Sequence, residues 1–141
     1  MIKKLVLSVV LMTLSAFALA EGKHKVVIQV SSADQKTQAI AMNNAINVQK
    51  HYGVDNVEIE LVAYGPGLSM LSKSGKHNQR VSSLAQQEIR FTACANTMAE
   101  IEEQGKKLGK KLELIGGVEI VPAGVARIMG LQQQGYAYIR P

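Results

Sequence analysis

Five runs of strand-forming residues alternate with stretches of helical periodicity between Lys25 and Ile139, and this alternation constrains the fold more than any other feature of the chain. Lys25 to Ser31 holds Val26, Val27, Ile28 and Val30, a β-branched run typical of a strand covered on both faces. Val57 to Tyr64 (VEIELVAY), Glu88 to Ala93 (EIRFTA), Val118 to Val121 and Tyr136 to Ile139 (YAYI) supply the other strands. Residues 34–52 place Ala39, Met42, Ala45 and Ile46 at helical spacing, after the capping candidates Ser31, Ser32 and Asp34 and before Gly53 as a stop. Asn96 to Leu108 can put Met98, Ile101 and Leu108 on one face. Pro122 to Gln134 reads as a helix with Pro near its first turn, carrying Val125, Ile128, Met129 and Leu131. Leu68, Met70 and Leu71 predict a short helix, and another turn or two spans Val81 to Gln87; polar Ser72 to Arg80 reads as a mobile loop. Such alternation specifies an α/β domain, a three-layer α/β/α sandwich on a five-stranded, mostly parallel sheet. With 141 residues there is room for one such domain.

The first residues carry an address. Met1-Ile2-Lys3-Lys4 precedes an uncharged stretch from Leu5 to Ala20, and Ala18-Leu19-Ala20 puts small residues before the charged Glu21. This pattern predicts a secretory signal peptide over residues 1–20, a mature domain over 21–141, and a periplasmic location. The uncharged stretch contains Ser8, Thr13 and Ser15 and falls short of the ~20 apolar residues of a spanning helix, so no membrane association is expected after cleavage. Sixteen Lys and Arg against eleven Asp and Glu give +5; without Lys3 and Lys4 the balance is 14 − 11 = +3. That mild excess, with one Phe, four Tyr and no Trp beyond the leader, argues against a nucleic-acid partner, since single-strand binders need aromatic stacking platforms.

One cysteine excludes an intrachain disulfide, a Cys-rich zinc site and an internal two-thiol centre. His24, His51 and His77 are scattered without ligand spacing, and neither GxGxxG nor a P-loop is present, so neither metal nor cofactor is expected. In open parallel sheets ligands bind beyond the carboxyl ends of the strands. Ser31 and Ser32, Gly65 to Gly67, Cys94, and Pro122 to Gly124 fall at such ends. Cys94 stands between a strand and a helix, where unpaired N–H groups and the helix dipole favour thiolate over thiol. It is a nucleophile on that reading, and a small buried hydrophobe on the other. Gly65 and Gly67 could admit a bound group close to the backbone or simply form a tight turn. His77 could approach Cys94 as a base, although a solvated loop histidine is the simpler reading. Lys106, Lys107, Lys110 and Lys111 suit a solvated helix end.

Three segments in order, LVAYGPGL (61–68), FTACANTM (91–98) and GVEIVPAGVARIMGLQQQGYAYIRP (117–141), resemble the DsrE/DsrF-like family of small sulfur-relay proteins, over roughly Lys23 to Pro141. The resemblance implies a three-layer α/β/α fold with a five-stranded parallel sheet, assembly into trimers or hexamers, and a cysteine that carries sulfur as a persulfide, here Cys94. It implies a sulfur carrier or sulfurtransferase that works with a sulfur donor and an acceptor thiol. Backbone N–H groups of Asn96 and Thr97 would hold the anion, with Gly65, Gly67, Ser32 and Gly124 as further anion- or ligand-binding positions. Two other readings stand beside it: an oligomeric module that binds a small ligand or partner without catalysis, and a thiol redox sensor, which would lack a resolving cysteine in the chain.

Overall fold

The computed structural model describes residues 22–109 and 111–141. The expected leader over residues 1–20, Lys110 and the side chain of Leu108 lie outside that description. The chain runs β1 (His24–Val30), α1 (Gln35–Tyr52), a 3-10 turn (Val54–Asn56), β2 (Val57–Ala63), a 3-10 helix (Gly65–Leu71), α2 (Asn78–Ala85), β3 (Ile89–Cys94), α3 (Ala95–Leu108), β4 (Glu119–Val121), α4 (Gly124–Gln133) and β5 (Ala137–Ile139). The sheet order is β4-β3-β2-β1-β5, and every pairing is parallel. This is the expected α/β sandwich.

Alternation along the strands divides the core in two. Val26, Ile28 and Val30 of β1, Ile59, Leu61 and Ala63 of β2, and Ile89, Phe91 and Ala93 of β3 form the larger core. Ala41, Met42 and Ala45 of α1, Val81 and Leu84 of α2, and Leu68, Met70 and Leu71 complete it, with Met98 and Ile101 of α3 packed against it. On the opposite face Val27 and Val62 meet Ile128 and Leu131 of α4 and Tyr136. Among the described residues, three helices thus back one face of the sheet and one helix backs the other.

Local departures from the sequence pattern have physical causes. Gln38 is buried on α1 where Ala39 was expected, because its Nε2 donates to the Ser32 carbonyl at 2.9 Å and to Ser69 Oγ at 3.0 Å. The cap of α1 is Asp34, whose carboxylate accepts from Thr37 N–H at 2.8 Å. Pro122 lies outside α4: Ala123 is the N-cap, the helix starts at Gly124, and the Pro122 carbonyl accepts from Asn96 N–H at 3.3 Å. Of the apolar residues on α4, Ile128 and Leu131 are buried, while Val125 and Met129 are 57% and 58% exposed.

The stretch expected as a mobile loop is tied down. Lys73 N–H donates to the Glu113 carbonyl at 2.8 Å, Ile115 N–H to the Leu71 carbonyl at 3.0 Å, and Ser72 forms an antiparallel bridge with Leu114. Gly75 N–H closes a turn onto Ser72, and α2 already begins at Asn78.

Candidate functional site

Cys94 is the last residue of β3 and the N-cap of α3. Its register partner on β4 is Val121, which precedes the turn into α4, so the cysteine lies where two helices begin. A methyl group built on Gly124 would stand 3.3 Å from Cys94 Cβ and 3.1 Å from Tyr64 Cβ. The first residue of α4 therefore packs directly on the cysteine, and a larger residue there would press on the side chains of Tyr64 and Cys94.

Cys94 is 5% exposed. Burial pushes its thiol pKa up, but hydrogen bonding from the backbone N–H groups of Thr97 and Gly124, the Thr97 hydroxyl and Asn96 N–H outweighs it, and the net displacement is downward. The donors come from the first turns of both helices, where N–H groups have no intrahelical acceptor. The arrangement favours a sulfur anion.

The expected site residues separate into groups. Cys94, Asn96, Thr97 and Gly124 meet at the sulfur. Gly65 joins them indirectly, by donating its N–H to Thr97 Oγ1 at 2.9 Å. Gly67 is placed differently: it is buried against the end of β1, where a Cβ would stand 2.1 Å from the Val30 carbonyl oxygen. The hydroxyl of Ser32 accepts from Asp34 N–H at 3.0 Å in the turn that starts α1. His77 does not join the groups that act on Cys94; it is half-buried ahead of α2, and its Nε2 has no hydrogen-bond partner among the described residues.

Beside Thr97 a cleft of about 400 Å³ opens between the 3-10 helix and α3. Gly65, Pro66 and Ser69 form one side and Glu100, Ile101 and Gln104 the other. Among the described residues no cluster of three His, Cys, Asp or Glu side chains could hold a metal ion, and no helix is long and apolar enough to cross a membrane.

A second polar cluster lies on the face covered by α4, and sequence reasoning missed it. Glu60, fully buried in the middle strand, accepts from Arg127 Nε and Nη2 at 2.8 Å each and from Thr92 Oγ1 at 2.8 Å. Arg90 Nη2 lies 3.5 Å from the same carboxylate and donates to Tyr136 Oη at 2.6 Å, which donates in turn to Glu58 at 2.6 Å. Burial opposes ionisation of Glu60, but these donors hold its pKa below the ordinary value. The available signal was Glu60 in the middle of the VEIELVAY strand of a sheet expected to lie between two helical layers, where a carboxylate demands a cationic partner.

A family model described as the DsrE/DsrF-like family matches residues 24–141. The chain belongs to the DsrE/DsrF-like family. A solved structure of a protein of unknown function, MTH1491 from Methanobacterium thermoautotrophicum, is 32% identical and superposes with a TM-score of 0.74, covering 84% of this chain and 100% of that one. No curated protein matches the chain. Membership links this DsrE/DsrF-like chain to a family associated with sulfur relay.

Proposed function

We propose that the protein is a periplasmic sulfur-handling protein that carries sulfane sulfur on Cys94. The observation that carries this reading is the position of the cysteine between two helix starts, with the N–H groups of Thr97, Gly124 and Asn96 favouring its anion. The Cys94 thiolate attacks the outer sulfur of a donor persulfide. A new S–S bond forms, the donor's S–S bond breaks, and the donor leaves as a thiolate. An acceptor thiolate then attacks the outer sulfur of the Cys94 persulfide and releases the Cys94 thiolate. No net oxidation occurs, and no second protein thiol is needed. The same donors that favour the thiolate would hold the negative charge of the persulfide.

The reading includes export, with a mature chain starting at Glu21, and a homo-oligomer, a trimer or hexamer. Amino-terminal sequencing of the exported protein checks the first; Met1 as the observed terminus would remove it.

Sulfur transfer is tested by incubating the protein with a small persulfide donor and reading intact mass. Wild-type protein is expected to gain one sulfur and lose it to an acceptor thiol, while Cys94→Ser and Cys94→Ala, folded by circular dichroism, gain none. A folded wild-type protein that never gains sulfur overturns the reading. That result would favour a non-catalytic binding module, for which the cleft beside Thr97 and the low exposure of Cys94 speak.

A further inference from the structure

The Glu60 cluster is linked to the cysteine through two separate elements. Thr92, which donates to Glu60, lies two residues before Cys94 on β3, so both side chains project toward the same face of the sheet. Arg127, which grips Glu60 with a two-pronged guanidinium, lies in the first turn of α4, three residues after Gly124; its N–H donates to the Ala123 carbonyl at 3.0 Å. One carboxylate therefore ties the strand that ends in Cys94 to the helix that begins beside it.

Stability alone is a weak reason for this pair. Glu60 is fully buried and the Arg127 side chain is 29% exposed, and a buried ion pair is often no more stabilising than apolar residues of the same volume. What the pair supplies is geometry, because a bidentate guanidinium–carboxylate contact fixes both separation and orientation. Leu131 and Ile128 pack α4 onto Val27 and Val62 without such directionality, and apolar contacts of that kind tolerate small slides.

We infer that the Glu60–Arg127 pair is a positioning clamp for Cys94, holding the first turn of α4 where the Gly124 N–H faces the sulfur. Neither residue is catalytic, since neither touches the sulfur. The inference rests on the reading of Cys94 as a thiolate nucleophile.

The test is the pH dependence of Cys94 alkylation by iodoacetamide, measured on folded protein. Two variants leave net charge unchanged and so separate geometry from simple electrostatics: the double replacement Glu60→Met with Arg127→Met, and Arg127→Lys, which keeps the cation but loses the fork. Both are expected to move the midpoint upward, slowing alkylation at pH 7 by about three- to tenfold, with the high-pH plateau preserved. A clamp that merely stabilised the fold would alter the urea midpoint and leave the pH profile in place. A wild-type midpoint well below ~8.5 that persists in a folded variant overturns the clamp alone. A wild-type midpoint at or above ~8.5 overturns the thiolate reading, and the clamp with it.

Discussion

Gly65 donates its backbone N–H to Thr97 Oγ1 at 2.9 Å, which leaves the hydroxyl proton of Thr97 free to be donated to the sulfur of Cys94. Thr97→Val keeps the shape but removes both roles. The alkylation midpoint is expected to rise by roughly half a pH unit, a ~3-fold loss of rate at pH 7. Loss of the acceptor for the half-buried Gly65 N–H should cost about 0.5–1.5 kcal/mol, read by urea denaturation. Thr97→Ser retains the hydroxyl and should restore both measurements.

Gly67 makes a sharper prediction about packing. Its missing Cβ is the space occupied by Val30 O, C and the Ser31 amide, at 2.1, 2.5 and 2.8 Å from the ideal position. These are backbone atoms of the central sheet region and cannot rotate away. Gly67→Ala should therefore destabilise at or beyond the upper end of the ~1–3 kcal/mol usual for overpacking. Gly116→Ala, where nothing lies within 4 Å, is the matched control and should be nearly neutral in the same urea assay.

Glu60 sets a dependence of stability on acid. Burial works against its charge, while Arg127 and Thr92 favour it, and the folded pKa lies below the ordinary value. A depressed carboxylate pKa contributes stability that is present above the unfolded value of ~4.3 and is lost as pH falls through the folded pKa. Wild-type protein should lose more stability between pH 7 and pH 3 than Glu60→Gln does. Equal losses in the two proteins, measured by urea midpoints, would show that the carboxylate is not the acid-sensitive element.

Assembly is the remaining prediction. Val125 and Met129, one turn apart on α4, are large apolar residues left exposed on the helix that, among the described residues, covers this face of the sheet. A trimer or hexamer is expected for residues 21–141 by light scattering at micromolar concentration. A monomer mass would remove the claim and any site shared between subunits.

The fold was legible because strand and helix periodicities differ, and they switch cleanly at Gly53, at Tyr64 and between Cys94 and Ala95. Cys94 was legible for the same reason: its place at a strand-to-helix junction can be read locally. The Glu60–Arg127 pair was not, because 67 residues separate its members and only the sheet register and the seating of α4 bring them together. The role of Gly67 was equally hidden, since its requirement for glycine comes from a close approach to β1 and its own φ angle does not demand it. Pro122 misled by two residues: it stands before the N-cap Ala123, α4 starts at Gly124, and the Pro122 carbonyl accepts a hydrogen bond from Asn96 N–H.

The first strand of the chain lies beside the last, with Val26 opposite Ala137, Val27 opposite Tyr138 and Ile28 opposite Ile139. During synthesis β1 emerges long before its neighbour exists, and a chain that stops short of Ala137 leaves a valine-rich strand with unpaired N–H and C=O groups at the margin of the sheet. Such an edge is a template for other chains. The final three-residue strand is thus a seal as much as a structural member, and loss of the carboxyl terminus is expected to appear first as self-association of incomplete molecules, before any defect at the cysteine.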